Sequence, residues 1–329
     1  MNSNKVVPGN NDAPSHRRPN PSPFHQQTVK AYKPVPTVKS AAIIFTVLGV
    51  IFIIVGAVLL AYSKEIIEHK ARYDNKDNCK DTKWDSQQSC EIEFEIDKKM
   101  KKPVYFYYQL NNFYQNHRRY VKSKSAEQLA GTKMSKSDVA TDCDPIITMK
   151  DLGRIKEHLP ESLQNDYMSD SKVALPCGLI AKTLFNDTYT FFEGTREITI
   201  ETDDIAWPSD KEKKFKTNED EKNNYWTDVE DEHFIVWMRT SGLPNFRKLW
   251  GRIEEDLEGT FKVQIKSFYD VTDFNGEKYV VISTANALGG DNTFLGIAYI
   301  VVGGITLILA LAFVIRGYFF KKSDDLHFT

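Results

Sequence analysis

The chain has 329 residues, with 43 lysines and arginines against 45 aspartates and glutamates, a formal net charge of −2, and 41% hydrophobic residues. This balance lacks the basic excess of a nucleic-acid-binding domain, and the apolar content is too high for a wholly disordered chain.

From the N-terminus, residues 1–39 are rich in Asn, Pro, Ser and Lys, with apolar residues too scattered to build a core. The expectation is a disordered tail over residues 1–40. Ala41 to Tyr62 is then an uncharged apolar run, matched near the other end by Phe294 to Ile315. As helices rising about 1.5 Å per residue, each run is long enough to cross roughly 30 Å of bilayer hydrocarbon. A buried soluble helix would keep a polar stripe, which neither run has. The sequence therefore predicts two membrane helices, residues 41–62 and 294–315, around an ectodomain of residues 63–293, with residues 316–329 as a second tail.

The flanks set the orientation. Lys30, Lys33 and Lys39 precede the first span, and Arg316, Lys321 and Lys322 follow the second, which places both termini in the cytosol. Lys64, Lys70, Arg72 and Lys76 oppose this locally, although long loops translocate largely regardless of charge. With no cleavable signal peptide ahead of Ala41, the first span is expected to act as an uncleaved anchor. All four cysteines, Cys79, Cys90, Cys143 and Cys177, lie in the translocated loop, as an oxidising compartment favours. Three pairings are open. The sequential one closes the shortest loops, with about 3 and about 4 kcal/mol of loop-entropy stabilisation.

Within the ectodomain, Glu91 to Asp97 alternates strictly, with Ile92, Phe94 and Ile96 on one face, and predicts a half-buried strand. Val104 to Leu110, Ile198 to Thr202, Phe234 to Met238, Phe261 to Tyr269 and Lys278 to Thr284 are further strand candidates, the last two forming a hairpin around Asn275-Gly276. Ser209 to Asn224 reads as a solvated loop. After Pro244, the residues Phe246, Leu249, Trp250, Ile253 and Leu257 share one helical face that Gly259 can end. The fold class is thus membrane α+β, two transmembrane helices flanking a large, mostly antiparallel-β, disulfide-bonded ectodomain. Asn186-Asp187-Thr188 is the one N-glycan sequon in the loop and predicts a surface position for its asparagine.

No Gly-rich phosphate loop, His-Glu-x-x-His, Gly-x-Ser-x-Gly or aspartyl-phosphate motif of an ATP-driven pump occurs, and no Cys or His spacing suggests zinc. The acids Glu254, Glu255 and Asp256 read as a solvated helix face. The aromatic and basic run Asn112 to Tyr120 suggests RNA stacking only in a cytosolic protein. Outside the cytosol it reads as a protein contact or its supporting network, with Gln115, Arg118 and Arg119 the candidates. Gly49 and Gly56 in the first span, and Gly296 and Gly303 in the second, recur seven residues apart and mark faces for close helix packing.

These residues carry a resemblance. Phe24-His25-Gln26-Gln27, the run Asn112 to Ser123, Pro176-Cys177-Gly178, Phe185-Asn186-Asp187-Thr188, Ile205-Ala206-Trp207, the dense stretch Asp231 to Leu249 and Gly289-Gly290-Asp291-Asn292 are similar, in order, to the cell division control protein 50 or ligand-effect modulator 3 family. The resemblance implies a non-catalytic β subunit of a type IV P-type ATPase lipid flippase, without a cofactor of its own. It also implies a heterodimer with the catalytic subunit among membrane lipids, no nucleic acid, and sequential pairing of the cysteines. Residence in the endoplasmic reticulum, Golgi, endosome or plasma membrane follows from the same likeness. Lys182, where many relatives start a second sequon, Pro208, and a short segment after Leu249 depart from the family pattern. The readings from other classes are a two-pass channel subunit and a free-standing receptor.

Overall fold

The computed structural model describes residues 22–29, 37–76, 78–80, 88–154, 156–286 and 289–326. Most of the expected N-terminal tail, including Lys30 and Lys33, therefore lies outside the described residues. The chain packs as two units, Met1–Phe52 with Val302–Thr329, and Ile53–Val301.

The two apolar runs form helices Val38–Lys64 and Thr293–Leu326, each with a stretch long and apolar enough to span a membrane. Small residues let them approach closely. In the first unit, a Cβ on Gly49 would lie 2.8 Å from Leu307, while Gly303 is buried and Phe45 meets Phe313 with ring centroids 5.6 Å apart. In the second, a Cβ on Gly56 would lie 2.9 Å from the Gly296 carbonyl oxygen, and one on Gly296 would lie 3.0 Å from the Leu60 nitrogen.

Between the helices, the described residues form eight strands in two antiparallel four-stranded sheets. The strands are β1 Glu68–Arg72, β2 Gln88–Met100, β3 Val104–Asn111, β4 Thr188–Glu193, β5 Arg196–Ile198, β6 Phe246–Ile253, β7 Leu257–Ser267 and β8 Glu277–Ser283. One sheet has the order β1-β8-β3-β6 and the other β2-β7-β4-β5. Alternation decides which faces turn inward: Ile92, Phe94 and Ile96 of β2 are buried while the acids between them are exposed. The inner faces meet through aromatic rings, Phe106 of β3 against Tyr189 and Phe191 of β4 with centroids 5.2 and 6.4 Å apart. The cysteines pair sequentially, Cys79 with Cys90 and Cys143 with Cys177, each with Cα atoms 5.6 Å apart.

Five sequence readings are corrected, the first being the strand expected over Ile198–Thr202, which is β5 Arg196–Ile198 followed by an isolated bridge from Glu201 to Arg252. The helix expected after Pro244 is instead strand β6 and the start of β7. A bulge explains the misreading: Tyr107 pairs with Leu249 and Phe106 with Gly251, leaving Trp250 as an extra residue that shifts the two-residue period and imitates a helical one. Gly251 is needed there, because a Cβ would fall 2.4 Å from Ile200 and 2.9 Å from the Glu201 carbonyl oxygen. Glu254, Glu255 and Asp256 consequently lie around the crossing from one sheet to the other, not on a helix.

Phe234–Met238, read as a strand, is the body of helix Glu232–Met238, which Asp231 caps by accepting from the His233 and Phe234 amides. The Asn275 turn exists, with φ 51°, but β7 and β8 belong to different sheets, so no hairpin forms. Ser209–Asn224 is not merely a solvated loop. It contains helix Pro208–Lys213 and a 3-10 turn Glu219–Asn224, with Asp210 buried.

One ionic cluster lies between the sheets. Lys278 of β8 directs its three ammonium protons to Asp187 Oδ2 at 2.8 Å, Ser267 Oγ at 2.7 Å and the Tyr269 carbonyl at 2.6 Å. Asp187, just before β4, also accepts from the Tyr73 hydroxyl at 2.7 Å and from the Phe268 and Tyr269 amides at 2.6 and 2.7 Å. Tyr73 contacts Tyr189 through their hydroxyls at 2.9 Å, and burial, reinforced by Asp187, pushes both phenols well above their ordinary pKa. Lys278 and Asp187 are both buried, so removing either leaves an uncompensated charge.

Asp187→Asn keeps the sequon, since position 187 is its free middle residue, and so separates folding from glycan acceptance. We expect Asp187→Asn and Lys278→Met each to lose about 3–5 kcal/mol of stability in denaturant unfolding of the purified chain. The double variant should lose clearly less than the sum. Additive losses would show that the two groups are not coupled.

Candidate interaction surface

The run from Asn112 to Tyr120 follows β3 and is clamped from behind. Asn112 adopts φ 62°, from which its amide reaches the Phe274 carbonyl at 2.6 Å, and its backbone N–H donates to Asn245 Oδ1 at 3.0 Å. The Phe113 N–H donates to the Pro244 carbonyl at 3.0 Å. Gln115 Oε1 accepts from the Ser241 N–H at 2.9 Å, and Asn116 donates to the Gly242 carbonyl at 2.9 Å. The Asn112 side chain ties this loop to the turn before β8, and the other four bonds tie it to residues 241–245, far away in sequence but immediately before β6.

Aromatic packing fixes the clamp. The Phe113 ring lies 5.3 Å from Phe274, 5.7 Å from Tyr120 and 5.8 Å from Trp237, centroid to centroid. Trp237 is fully buried and donates its indole N–H to the Ile180 carbonyl at 2.8 Å. Tyr120 shares a 2.7 Å hydrogen bond with Thr183, and burial pushes its hydroxyl far above the ordinary phenol pKa.

The three residues singled out in this run divide. Gln115 is completely buried, so its side chain presents nothing to a partner and belongs to the internal clamp. Arg118 and Arg119 open helix Arg118–Lys122, are exposed, and make no ion pair among the described residues. Beside them Tyr114 is 57% exposed, and Leu243, on the clamped neighbouring loop, is 70% exposed. Two loops bonded to each other thus present to solvent a tyrosine, a leucine and two guanidinium groups without an ion pair among the described residues.

Trp207, 63% exposed, was not singled out in the sequence for contact. Arg239 lies over its ring at 5.3 Å and pairs with buried Asp210 at 2.5 Å. Arg239, with help from Lys214, holds the Asp210 carboxyl below the usual carboxylate range. Isolation of a large aromatic between Ala206 and Pro208 was the available signal. Behind Arg239, the largely buried Lys248 of β6 donates to the Val236 and Arg239 carbonyls, capping the C-terminal end of helix Glu232–Met238.

Asn186, the sequon asparagine, is half-buried rather than freely exposed. It borders a cleft of about 320 Å³ with Arg154, Trp226 and Phe268. The next residue, Asp187, is the centre of the buried ionic cluster, and Thr188 is exposed at the start of β4.

Sequence comparisons extend along nearly the whole chain. The sequence model of the LEM3 (ligand-effect modulator 3) family / CDC50 family matches residues 59–323. ALA-interacting subunit 3 of Arabidopsis thaliana is 40% identical over 91% of this chain and 86% of its own length. Cell cycle control protein 50A of Bos taurus is 31% identical over 94% and 91%. The phospholipid-transporting ATPase accessory subunit CRF1 of Saccharomyces cerevisiae is 28% identical over 98% and 90%.

Burial lowers the Lys248 pKa from 10.5 to about 8, with Arg239 adding repulsion. Below pH 8 both folded and unfolded chains carry the charge, and its burial opposes folding in full. Between pH 8 and 10.5 the unfolded chain binds the extra proton, so this residue makes stability rise with pH. Unfolding free energies measured across that window should rise less steeply in Lys248→Met than in the parent. Equal slopes would contradict this role.

Proposed function

Because the chain belongs to the LEM3 (ligand-effect modulator 3)/CDC50 family, we propose that it is the non-catalytic accessory subunit of a type IV phospholipid-transporting ATPase. It assembles with the catalytic subunit as a heterodimer. The observation that carries this reading is the match over nearly the full chain to proteins named as accessory or ALA-interacting subunits, one of them from a phospholipid-transporting ATPase.

Both termini face the cytosol in this reading, which the flanking Lys39 and Arg316 and the two ectodomain disulfides support. Asn186 carries an N-glycan, added before its flanks close around it. The subunit supports folding of its partner and export from the endoplasmic reticulum, then stays bound in the Golgi, endosome or plasma membrane. Such a subunit works by differential affinity. Tighter binding to the folded than to the misfolded partner stabilises it by mass action, and preference for one transport state shifts the cycle toward that state.

The ectodomain acts as an extracytosolic clamp through the surface around Tyr114, Arg118, Arg119 and Leu243. Arginine and tyrosine concentrate at binding hot spots, and a loop fixed from behind loses little entropy on docking. A channel reading is disfavoured by the scarcity of polar groups in the second span, where the hydroxyl of Thr306, its distinctly polar residue, is bonded back to the Val302 and Gly303 carbonyls of its own helix at 2.9 and 2.8 Å.

Replacing Arg118 and Arg119 together by alanine removes exposed groups without an internal partner. The double variant should keep both disulfides, the glycan and the parental melting temperature, yet recover at least tenfold less ATPase on affinity purification. Full recovery of the partner would exclude these arginines from the interface.

A further inference from the structure

The tip joining β2 to β3 reads Lys98-Lys99-Met100-Lys101-Lys102-Pro103, four lysines around one buried methionine. Three of them, Lys99, Lys101 and Lys102, line a cavity of about 340 Å³ together with Glu65, Pro103 and Asn286. That volume falls in the range of small-ligand sites. Lys99 is neutralised by Asp256 at 3.0 Å, and Asp256 also accepts the Lys102 backbone N–H at 2.9 Å, which fixes the tip. The Lys101 and Lys102 ammonium groups are exposed and form no ion pair among the described residues. With Glu65 the single carboxylate on the wall, the cavity retains a positive excess.

Its depth follows from one sequence position and one hydrogen bond. Glu65 lies three residues past Tyr62, the last residue of the first apolar run, hence about 5 Å beyond the hydrocarbon edge at about 1.5 Å per residue. Asn286, on the far wall, donates to the Tyr62 carbonyl at 2.8 Å, which ties that wall to the same level. The headgroup layer occupies roughly 5–7 Å outside the hydrocarbon on each side. The cavity therefore opens where lipid phosphates lie.

We propose that this cavity binds the headgroup phosphate of an anionic phospholipid from the ectodomain-side leaflet, with Lys101 and Lys102 as its cationic partners. The inference rests on the membrane reading of the two helices, not on the identity of the ATPase. Basic residues at this depth attract anionic lipid, and the attraction decays within a Debye length, so the site acts on lipid already at the protein surface.

The test uses the full-length chain purified in detergent, titrated with dioctanoyl phosphatidylserine and read by native mass spectrometry and thermal shift. The parent should bind this lipid more tightly than dioctanoyl phosphatidylcholine. The variant Lys101→Gln with Lys102→Gln should bind about 25-fold more weakly, about fivefold per lysine. Lys222→Gln, on an exposed lysine of the 3-10 turn Glu219–Asn224, should bind like the parent. Equal binding by the double variant overturns the proposal, as does inorganic phosphate or an acidic peptide binding as tightly as the lipid. Alkaline carbonate extraction of native membranes is run alongside. Release of the chain there would instead fail the membrane reading itself.

Discussion

The buried contact between Lys278 and Asp187 is the constraint on which the ectodomain depends. Two charges taken out of water repay their desolvation only when every proton and lone pair finds a partner in good geometry. Here the ammonium has three acceptors and the carboxylate four donors, drawn from β8, the ends of β1 and β7, and the approach to β4. Those segments come from both sheets, so the cluster is satisfied only when the sandwich has closed in one register. An apolar layer such as Phe106, Phe191 and Phe261 would tolerate small slips that this cluster does not.

The same strands join the ectodomain to the membrane helices. β1, which follows the first helix, pairs with β8, which precedes the second. Ile67 and Thr284 exchange backbone and side-chain hydrogen bonds at 3.0 Å, and Ser63 donates to Asp291 at 2.5 Å. The chain therefore leaves and re-enters the membrane at neighbouring points although more than 200 residues intervene. The sandwich is thereby bonded directly to the adjoining ends of both helices.

Much of this was legible in the sequence, and the misreadings share a physical cause. The two spans and β2 stand out because nothing disturbs their periodicity. β6 was concealed by the bulge at Trp250, which converts alternation into an apparent helical face, and Phe234–Met238 is an apolar run too short for period alone to decide. The Asn275 turn was visible, but whether its flanking strands pair depends on the closure of the sandwich, which no local pattern encodes. Among the candidate site residues, arginines and a glutamine in one run could not be sorted into surface and support. Burial of Gln115 depends on Ser241, over a hundred positions away. In the sequence Asp187 stands out only as the middle of a sequon, since its partner Lys278 looks like any strand lysine.

The central claim is that this chain is the accessory half of a lipid-transporting ATPase. Its most direct test is purification of the tagged full-length chain from native membranes in mild detergent, with partners quantified by mass spectrometry and the eluate assayed for ATP hydrolysis. The account predicts a near-stoichiometric type IV ATPase whose hydrolysis is stimulated by phospholipid. Recovery of a folded, disulfide-bonded chain alone, or as a homo-oligomer without any ATPase, would contradict it.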